Sequence, residues 1–297
     1  MAALFLLLAP DGRFEVRQVA GAFVFCLTRA EKQGAAMANN GVMTLLTDFG
    51  LRDHFVAAMK GVILSLNPDL TLVDVSHLVP PQDIFAGAFT LGQAWALFPS
   101  GTIHVAVVDP GVGTARKVMA ASAAGHYFVA PDNGILTCVM EVQEDFTAYE
   151  VTAEHYFRKP VSVTFHGRDI FAPIAAWISR GIPLKQLGLA LPKPVRLNIP
   201  VPKKVREGVI QGVILAVDQF GNLITNLKPA DVPPASKIIL GSKREVTSFR
   251  RVYGEGTPGE LFVLQGSTGY LEIAVKNGSA AAALELKAGA AIGVVPS

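Results

Sequence analysis

Thr102-Ile103-His104-Val105-Ala106-Val107-Val108 is an apolar, β-branched run that stops at Asp109-Pro110-Gly111-Val112-Gly113-Thr114. A run of that length, closed by proline and glycine, reads as a buried strand emptying into a loop. Two other seams have the same form. The apolar stretch 42–47 ends at Asp48-Phe49-Gly50, and the alternating stretch 161–165 meets His166-Gly167-Arg168-Asp169 ahead of an apolar helical pattern over 170–178. Charged side chains at strand–helix seams sit where α/β folds build their sites. Three such seams on one sheet edge predict a single site.

Around them, strand and helix patterns alternate. Helical spacing over 55–66 stops at Asn67-Pro68, a β-branched strand follows at 71–75, and a second amphipathic helix over 84–98 closes at Pro99-Ser100-Gly101. Strands at 118–123 and 127–130 come next. This order predicts an α/β domain over 42–190, with a largely parallel sheet covered on both faces. Prolines at 192, 194, 200 and 202 mark 191–203 as an extended linker. Beyond it, β-rich runs at 208–217, 223–226, 237–240, 260–264, 270–275 and 290–295 predict a small antiparallel barrel or sandwich over 204–297.

Composition narrows the classes. The 297-residue chain is 51% hydrophobic and 17% charged, which suits compact domains with their own cores. With a net charge of +2, the densest basic group (Lys243, Arg244, Arg250 and Arg251) is a solvated face and too small for nucleic acid. Cys26 and Cys138 have no metal-ligand spacing, and a reducing cytoplasm is expected. The apolar run over 2–10 is too short to span a bilayer. Residues 1–40 read as an N-terminal extension, with Met43 or Met37 as the expected start.

Individual residues leave alternatives open. Asp48 could accept hydrogen bonds from a ribose diol or serve as a cap or Asx-turn; Asp53 reads as the cap of the helix beginning near His54. Asp109 and Arg116, separated by a tight glycine-rich loop, could orient a water or pair structurally; the loop lacks the Lys-Ser/Thr of a phosphate-binding P-loop. His166 and Arg168 flank Gly167, which would leave room for a ligand, and Asp169 reads as a helix cap. Asp132-Asn133-Gly134 reads as a type I′ turn. In Asp218-Gln219-Phe220-Gly221-Asn222 the aromatic could stack on a purine and the amide could read a base edge; Ser267 and Glu272 could meet a zwitterion.

Taken in order, Thr47-Asp48-Phe49-Gly50, Asp109-Pro110-Gly111-Val112-Gly113-Thr114, Ala130-Pro131-Asp132-Asn133-Gly134, Phe165-His166-Gly167-Arg168-Asp169, Asp218…Phe220-Gly221-Asn222 and Ser267…Gly269-Tyr270-Leu271-Glu272 resemble the S-adenosyl-L-methionine (SAM) hydroxide adenosyltransferases, relatives of the SAM-dependent fluorinase and chlorinase. The resemblance covers 43–297. It implies an α/β domain followed by a β-barrel, a homotrimer, and SAM bound between domains of neighbouring subunits. It also implies a catalytic set on Asp109, Arg116 and His166, with Asp48 on the ribose diol. Asn222 would meet adenine, Asp218, Ser267 and Glu272 the methionine part, and backbone near Val275 the base. The halogenases that the chain resembles carry a serine where Gly167 stands and lack the Asp–Arg–His set, so the comparison favours water over halide.

The implied reaction is SAM plus water giving adenosine and L-methionine, with no cofactor and no metal. Arg116 and His166 are expected to hold a water beside the ribose C5′ in their joint positive field, with Asp109 as base and the apolar seam at Phe165 and Phe171 as a dry wall. The alternatives are a SAM-dependent halogenase, a metal-dependent phosphoesterase built on Asp48, Asp109, Asn133 and His166, and a non-catalytic SAM or adenosine binder. No membrane or nucleic-acid partner is expected.

Overall fold

The structure is a computed structural model that describes residues 5–8, 14–17, 40–206, 208–241 and 244–296. Met37, Cys26, Lys243 and most of the expected extension lie outside the described residues. Residues 1–36 and 37–297 form separate compact units. In the first, β1 (Phe5–Leu8) pairs antiparallel with β2 (Phe14–Arg17).

The second unit begins with β3 (Val42–Thr47), α1 (Phe55–Leu66), β4 (Thr71–Ser76), α2 (Ile84–Ala94) and β5 (Ile103–Val107). It continues with β6 (Val118–Ala123), β7 (His126–Pro131), α3 (Thr137–Met140), β8 (Thr147–Val151), α4 (Ala172–Ser179) and β9 (Gly188–Ala190). The strands form one mixed sheet in the order β4-β3-β5-β7-β6-β8-β9. The first four are mutually parallel, and β6, β8 and β9 extend the far edge antiparallel. Side chains alternate between two cores. Met43, Leu45, Val105 and Val107 face α1 and α4, while Leu46, Ala106, Val108 and Phe128 face α2 and α3.

The connections fix where a site can form. β3 passes through α1 to β4 on one flank, and β4 returns through α2 to β5 on the other. The crevice beyond the carboxyl ends of β3 and β5 is therefore a topological switch point, where open α/β sheets bind ligands. Asp48 and Asp109 follow those two strand ends, and Thr47 is in register with Val107.

The remaining strands are β10 (Lys203–Arg206), β11 (Val209–Val217), β12 (Leu223–Thr225), β13 (Ser236–Leu240), β14 (Arg244–Val246), β15 (Leu261–Gln265), β16 (Leu271–Val275) and β17 (Ala291–Pro296), with α5 (Ala280–Leu284) before the last. They pair antiparallel in the order β14-β13-β17-β11-β12-β16-β15, and β10 joins β11. Backbone bonds from Arg250 N to Val263 O and from Val263 N to Ser248 O, both 2.8 Å, bring the two ends together into a nearly closed barrel. The proline-rich stretch is pinned along its length. Val195 N donates to Asp132 (2.7 Å), Leu197 N to Thr137 Oγ1 (2.9 Å) and Asn226 Nδ2 to Pro200 O (3.1 Å). Phe89 of α2 packs on Leu215 and Ile224 of the barrel.

Near the amino-terminal end of the interior strand β5, His104 is buried between Thr44 (2.8 Å) and His126 (3.1 Å). Burial, and secondarily the neighbouring His126, push the His104 pKa down to about 3. The folded ring therefore stays neutral while the unfolded one takes up a proton near pH 6.5. Stability is complete above that pH and falls as pH drops toward 3, by about 1.4 kcal/mol per pH unit for the one proton. Urea unfolding between pH 6 and 4 should show this slope, and His104→Gln should flatten it by one proton's worth.

Candidate active site

The loop after β5 folds back on itself. Pro110 and Gly111 turn the chain, and Gly113 takes φ +78° with the Val163 carbonyl 2.4 Å from where a Cβ would stand, so only glycine fits. The return delivers Arg116 onto Asp109. Arg116 Nε donates to both carboxylate oxygens at 3.0 and 2.9 Å, and Nη2 donates to Oδ2. The second Nη2 hydrogen meets His166 Nδ1 at 2.7 Å. The guanidinium also lies over the buried Phe171 ring at 5.2 Å.

Arginine has no acceptor, so His166 Nδ1 must accept and the proton must sit on Nε2. His166 is thus the neutral tautomer. Its pKa is lowered by burial first and by the Arg116 charge second, against the pull of Asp109 and Asp169. The expected joint positive field of Arg116 and His166 is corrected here: the arginine alone carries the charge, and His166 offers an N–H. Of the roughly four lone-pair positions on Asp109, Arg116 engages three. One on Oδ1 remains.

His166 does not arrive from a strand. Residues 161–165 are an irregular turn after the cis Lys159–Pro160 bond, because Ser162 and Thr164 hydrogen-bond each other (3.2 Å) and Ser162 N donates to Asp169 (2.9 Å). The helix then opens as a π-helical turn, Gly167–Phe171, leading into α4. Asp169 caps nothing. It is fully buried and receives Arg168 through two bonds of 2.7 Å, Arg158 at 3.0 Å and Ser162 N. These bonds hold the turn that presents His166, and Arg168 lies over the Phe165 ring at 5.1 Å. Gly167 leaves no open space: an added Cβ would meet Phe49 at 3.1 Å and Met59 Sδ at 3.2 Å. Phe49, Phe55 and Phe165 pack edge to face over this wall.

Asp48 accepts from the backbone N–H of Gln82 (2.8 Å), a residue at φ +67° ahead of α2, and does not cap a helix. Asp53 does not cap α1 either; the N-cap is His54, which makes no side-chain capping bond. Asp132-Asn133-Gly134 is not a hairpin turn. It leads from β7 toward α3, and only Gly134 of the three has positive φ. Asn133 Nδ2 donates to Val108 O at 2.8 Å, bracing the strand end that carries Asp109.

The barrel residues form a second group. Asp218, Asn222, Ser267, Glu272 and Val275 line one cavity of about 1040 Å³. Asp218 is locked by Phe220 N (2.9 Å), Asn222 N (2.8 Å) and Asn222 Nδ2 (2.8 Å), so the Asn222 amide turns its Nδ2 to Asp218 and its side-chain Oδ1 the other way. Phe220 is 77% exposed at the rim. Arg251, expected only as part of a solvated basic face, and Tyr253, which the sequence did not single out, also line the cavity, and Tyr253 donates its hydroxyl to Glu272 at 2.6 Å. Burial first and Glu272 second raise the Tyr253 pKa, keeping that proton in place. An aromatic between glycine-rich turns (Val252-Tyr253-Gly254) was the available signal.

Asp48, Asp109, Arg116 and His166 do not line this cavity, and no hydrogen bond among the described residues links them to it. The metal reading also lacks its ligands: no group of three or more His, Cys, Asp or Glu is gathered among the described residues, and Asn133 is bonded to Val108. No helix among them is long and apolar enough to cross a membrane.

Known proteins match this architecture. Residues 43–188 match the SAM hydroxide adenosyltransferase N-terminal domain, and 212–293 its C-terminal domain. An (R)-S-adenosyl-L-methionine hydrolase of Salinispora tropica is 40% identical over 248 residues, covering 82% of this chain and 94% of that protein. A fluorinase of an Actinoplanes species is 33% identical over 222 residues, covering 66% and 74%. The crystal structure of an uncharacterized conserved protein from Thermotoga maritima superposes with a TM-score of 0.79 at 36% identity, covering 85% of this chain and 99% of that one. Fold, motif order and these matches agree: the chain belongs to the SAM hydroxide adenosyltransferase family.

Proposed function

We propose that this chain hydrolyses S-adenosyl-L-methionine to adenosine and L-methionine, with Asp109, Arg116 and His166 as the catalytic set. The observation that carries the reading is the guanidinium of Arg116 held at once by Asp109 and by the neutral Nδ1 of His166. That geometry leaves an N–H on His166 Nε2, the two N–H groups of Arg116 Nη1 and one lone pair on Asp109 for a water. The water oxygen forms a bond to the ribose C5′, and the C5′–S bond breaks with its electron pair going to sulfur. The leaving group is a neutral thioether and needs no acid. Asp109 accepts the water proton, the fixed positive charge of Arg116 stabilises hydroxide character, and the phenylalanine wall keeps other water away. Proton transfer to a positioned base typically contributes ~10²–10⁴-fold. No cofactor or metal enters this scheme.

The same reading gives Asp48 the ribose diol, Asn222 the adenine edge, Asp218, Ser267 and Glu272 the methionine part, and backbone near Val275 the base. Because the triad and the cavity of one chain share no lining residue, we assign the reaction to the seam between two copies in a homotrimer. Exposed apolar residues (Leu51 and Leu78 beside the Asp48 turn and His77, Phe55 against Phe165, Val163 against Gly113; Phe220 and Val252 at the cavity) suit such a seam. Halide use is the second reading, supported by the fluorinase relative. Against it, position 167 offers no hydroxyl, and its surroundings are filled by Phe49 and Met59.

Incubation with SAM in ¹⁸O-water should give singly labelled adenosine, unchanged by EDTA; 5′-halo-deoxyadenosine on adding chloride or fluoride would support the second reading instead. Asp109→Asn should lower kcat by about 10²-fold or more with little change in KM. Asp48→Ala should act mainly on KM, by ~1.5–3 kcal/mol for each charged hydrogen bond lost. If both variants lost only affinity, the role assignment would be wrong. Finally, Asp109→Asn and Asp218→Ala, each strongly impaired alone, should regain about a quarter of the wild-type rate when co-expressed, because mixed rings with shared sites rebuild intact ones. No recovery would mean that each chain completes its own site.

A further inference from the structure

His77 is 3% exposed, takes no part in the proposed chemistry, and lies just past the end of β4 beside the turn that carries Asp48. Its ring bridges two neighbours. Nδ1 lies 2.8 Å from Thr47 Oγ1, and Nε2 lies 3.0 Å from Asp74 Oδ1, in ion-pair range though off the line of a good hydrogen bond. Asp74 is tied in turn to Lys60 of α1 at 2.6 Å. A carboxylate only accepts, so Nε2 bears a proton toward Asp74, and in the Nε2–H tautomer Thr47 donates its O–H to Nδ1. The Thr47 oxygen also accepts from Phe49 N at 3.2 Å. The backbone carbonyl of the same histidine accepts from Gly50 N at 2.7 Å.

Both ends of the turn Thr47-Asp48-Phe49-Gly50 are therefore fastened to one residue, through the ring at the front and the carbonyl at the back. We propose that His77 is a positioning residue that holds the Asp48 carboxylate in register for the ribose diol of the substrate. The proposal rests on the reading of Asp48 as the diol ligand. It adds a residue that touches no substrate atom and acts only through the turn. The catalytic set is on the neighbouring strand end and the α4 turn, so loosening this clamp acts chiefly on diol binding and reaches the chemical step only through Phe49, which rides on the same turn.

The test compares SAM with its 2′-deoxyribose analogue in wild type, His77→Leu, His77→Asn and Thr47→Val, with thermal unfolding run on each. Wild type should prefer SAM through KM. In His77→Leu and Thr47→Val the KM for SAM should rise about tenfold, the equivalent of one hydrogen bond to a charged or well-ordered group, with kcat within about twofold. The KM for the deoxy analogue should move far less, so that discrimination between the two substrates shrinks. His77→Asn, whose amide oxygen can take the Thr47 O–H, should recover most of it. Equal losses on both substrates, or a fall in kcat with KM unchanged, would overturn the role of His77; Thr47→Val decides the matter if His77→Leu does not fold. A wild-type enzyme indifferent to the 2′-hydroxyl would instead overturn the Asp48 reading, and this proposal with it.

Discussion

An arginine donates and never accepts, and at Arg116 that restriction organises the whole site. Its guanidinium dictates which nitrogen of His166 bears hydrogen, holds that ring uncharged, and engages three of the carboxylate positions on Asp109. One unremovable charge thus sets the tautomer of His166 and the hydrogen bonding of Asp109. The surrounding structure serves this contact. Gly113 lets the loop close, Asn133 braces the strand end before Asp109, and buried Asp169 pins the π-helical turn that presents His166. π-helical turns inside α-helices recur at functional sites, and here the wider turn leads from His166 into α4.

The second constraint is rigidity between the sheet and the barrel. An extended, proline-rich connection would ordinarily permit independent motion. Here it is hydrogen-bonded to Asp132 and Thr137 on one side and to Asn226 on the other, while Phe89 packs into the barrel face. These contacts seat the barrel against the sheet domain on both sides of the connection.

Most of the regular framework was legible from pattern. β3, α1 and β6 match the apolar periodicity residue for residue, since each buries a continuous face. β8, Thr147–Val151, escaped notice because its pattern is broken by the polar Thr147 and Glu150 near the sheet edge. The sheet's antiparallel flank was hidden too, because strand direction is set by connections and not by composition. Among the site residues, the residue types at the seams pointed to Asp109, Arg116 and His166, and the structure hydrogen-bonds them together. What pattern could not reveal was the charge state of His166, the burial of Asp169 beneath two arginines, or the engagement of Asn133 with a strand carbonyl. Each depends on partners distant in sequence or on which atom of a side chain faces which. The stretch 161–165 misled for a related reason: alternation over five residues is compatible with a strand, but its polar members bond locally and the backbone turns.

The tight contacts around Gly167 reach beyond this one chain. A hydroxyl-bearing residue there must displace the Phe49 ring and the Met59 sulfur by a few tenths of an ångström. Phe49 itself belongs to the turn that carries Asp48, so the displacement would pass from the His166 turn to the Asp48 turn. A side chain at position 167 therefore cannot be judged alone, because the space it needs is set by the ring at 49 and the thioether at 59.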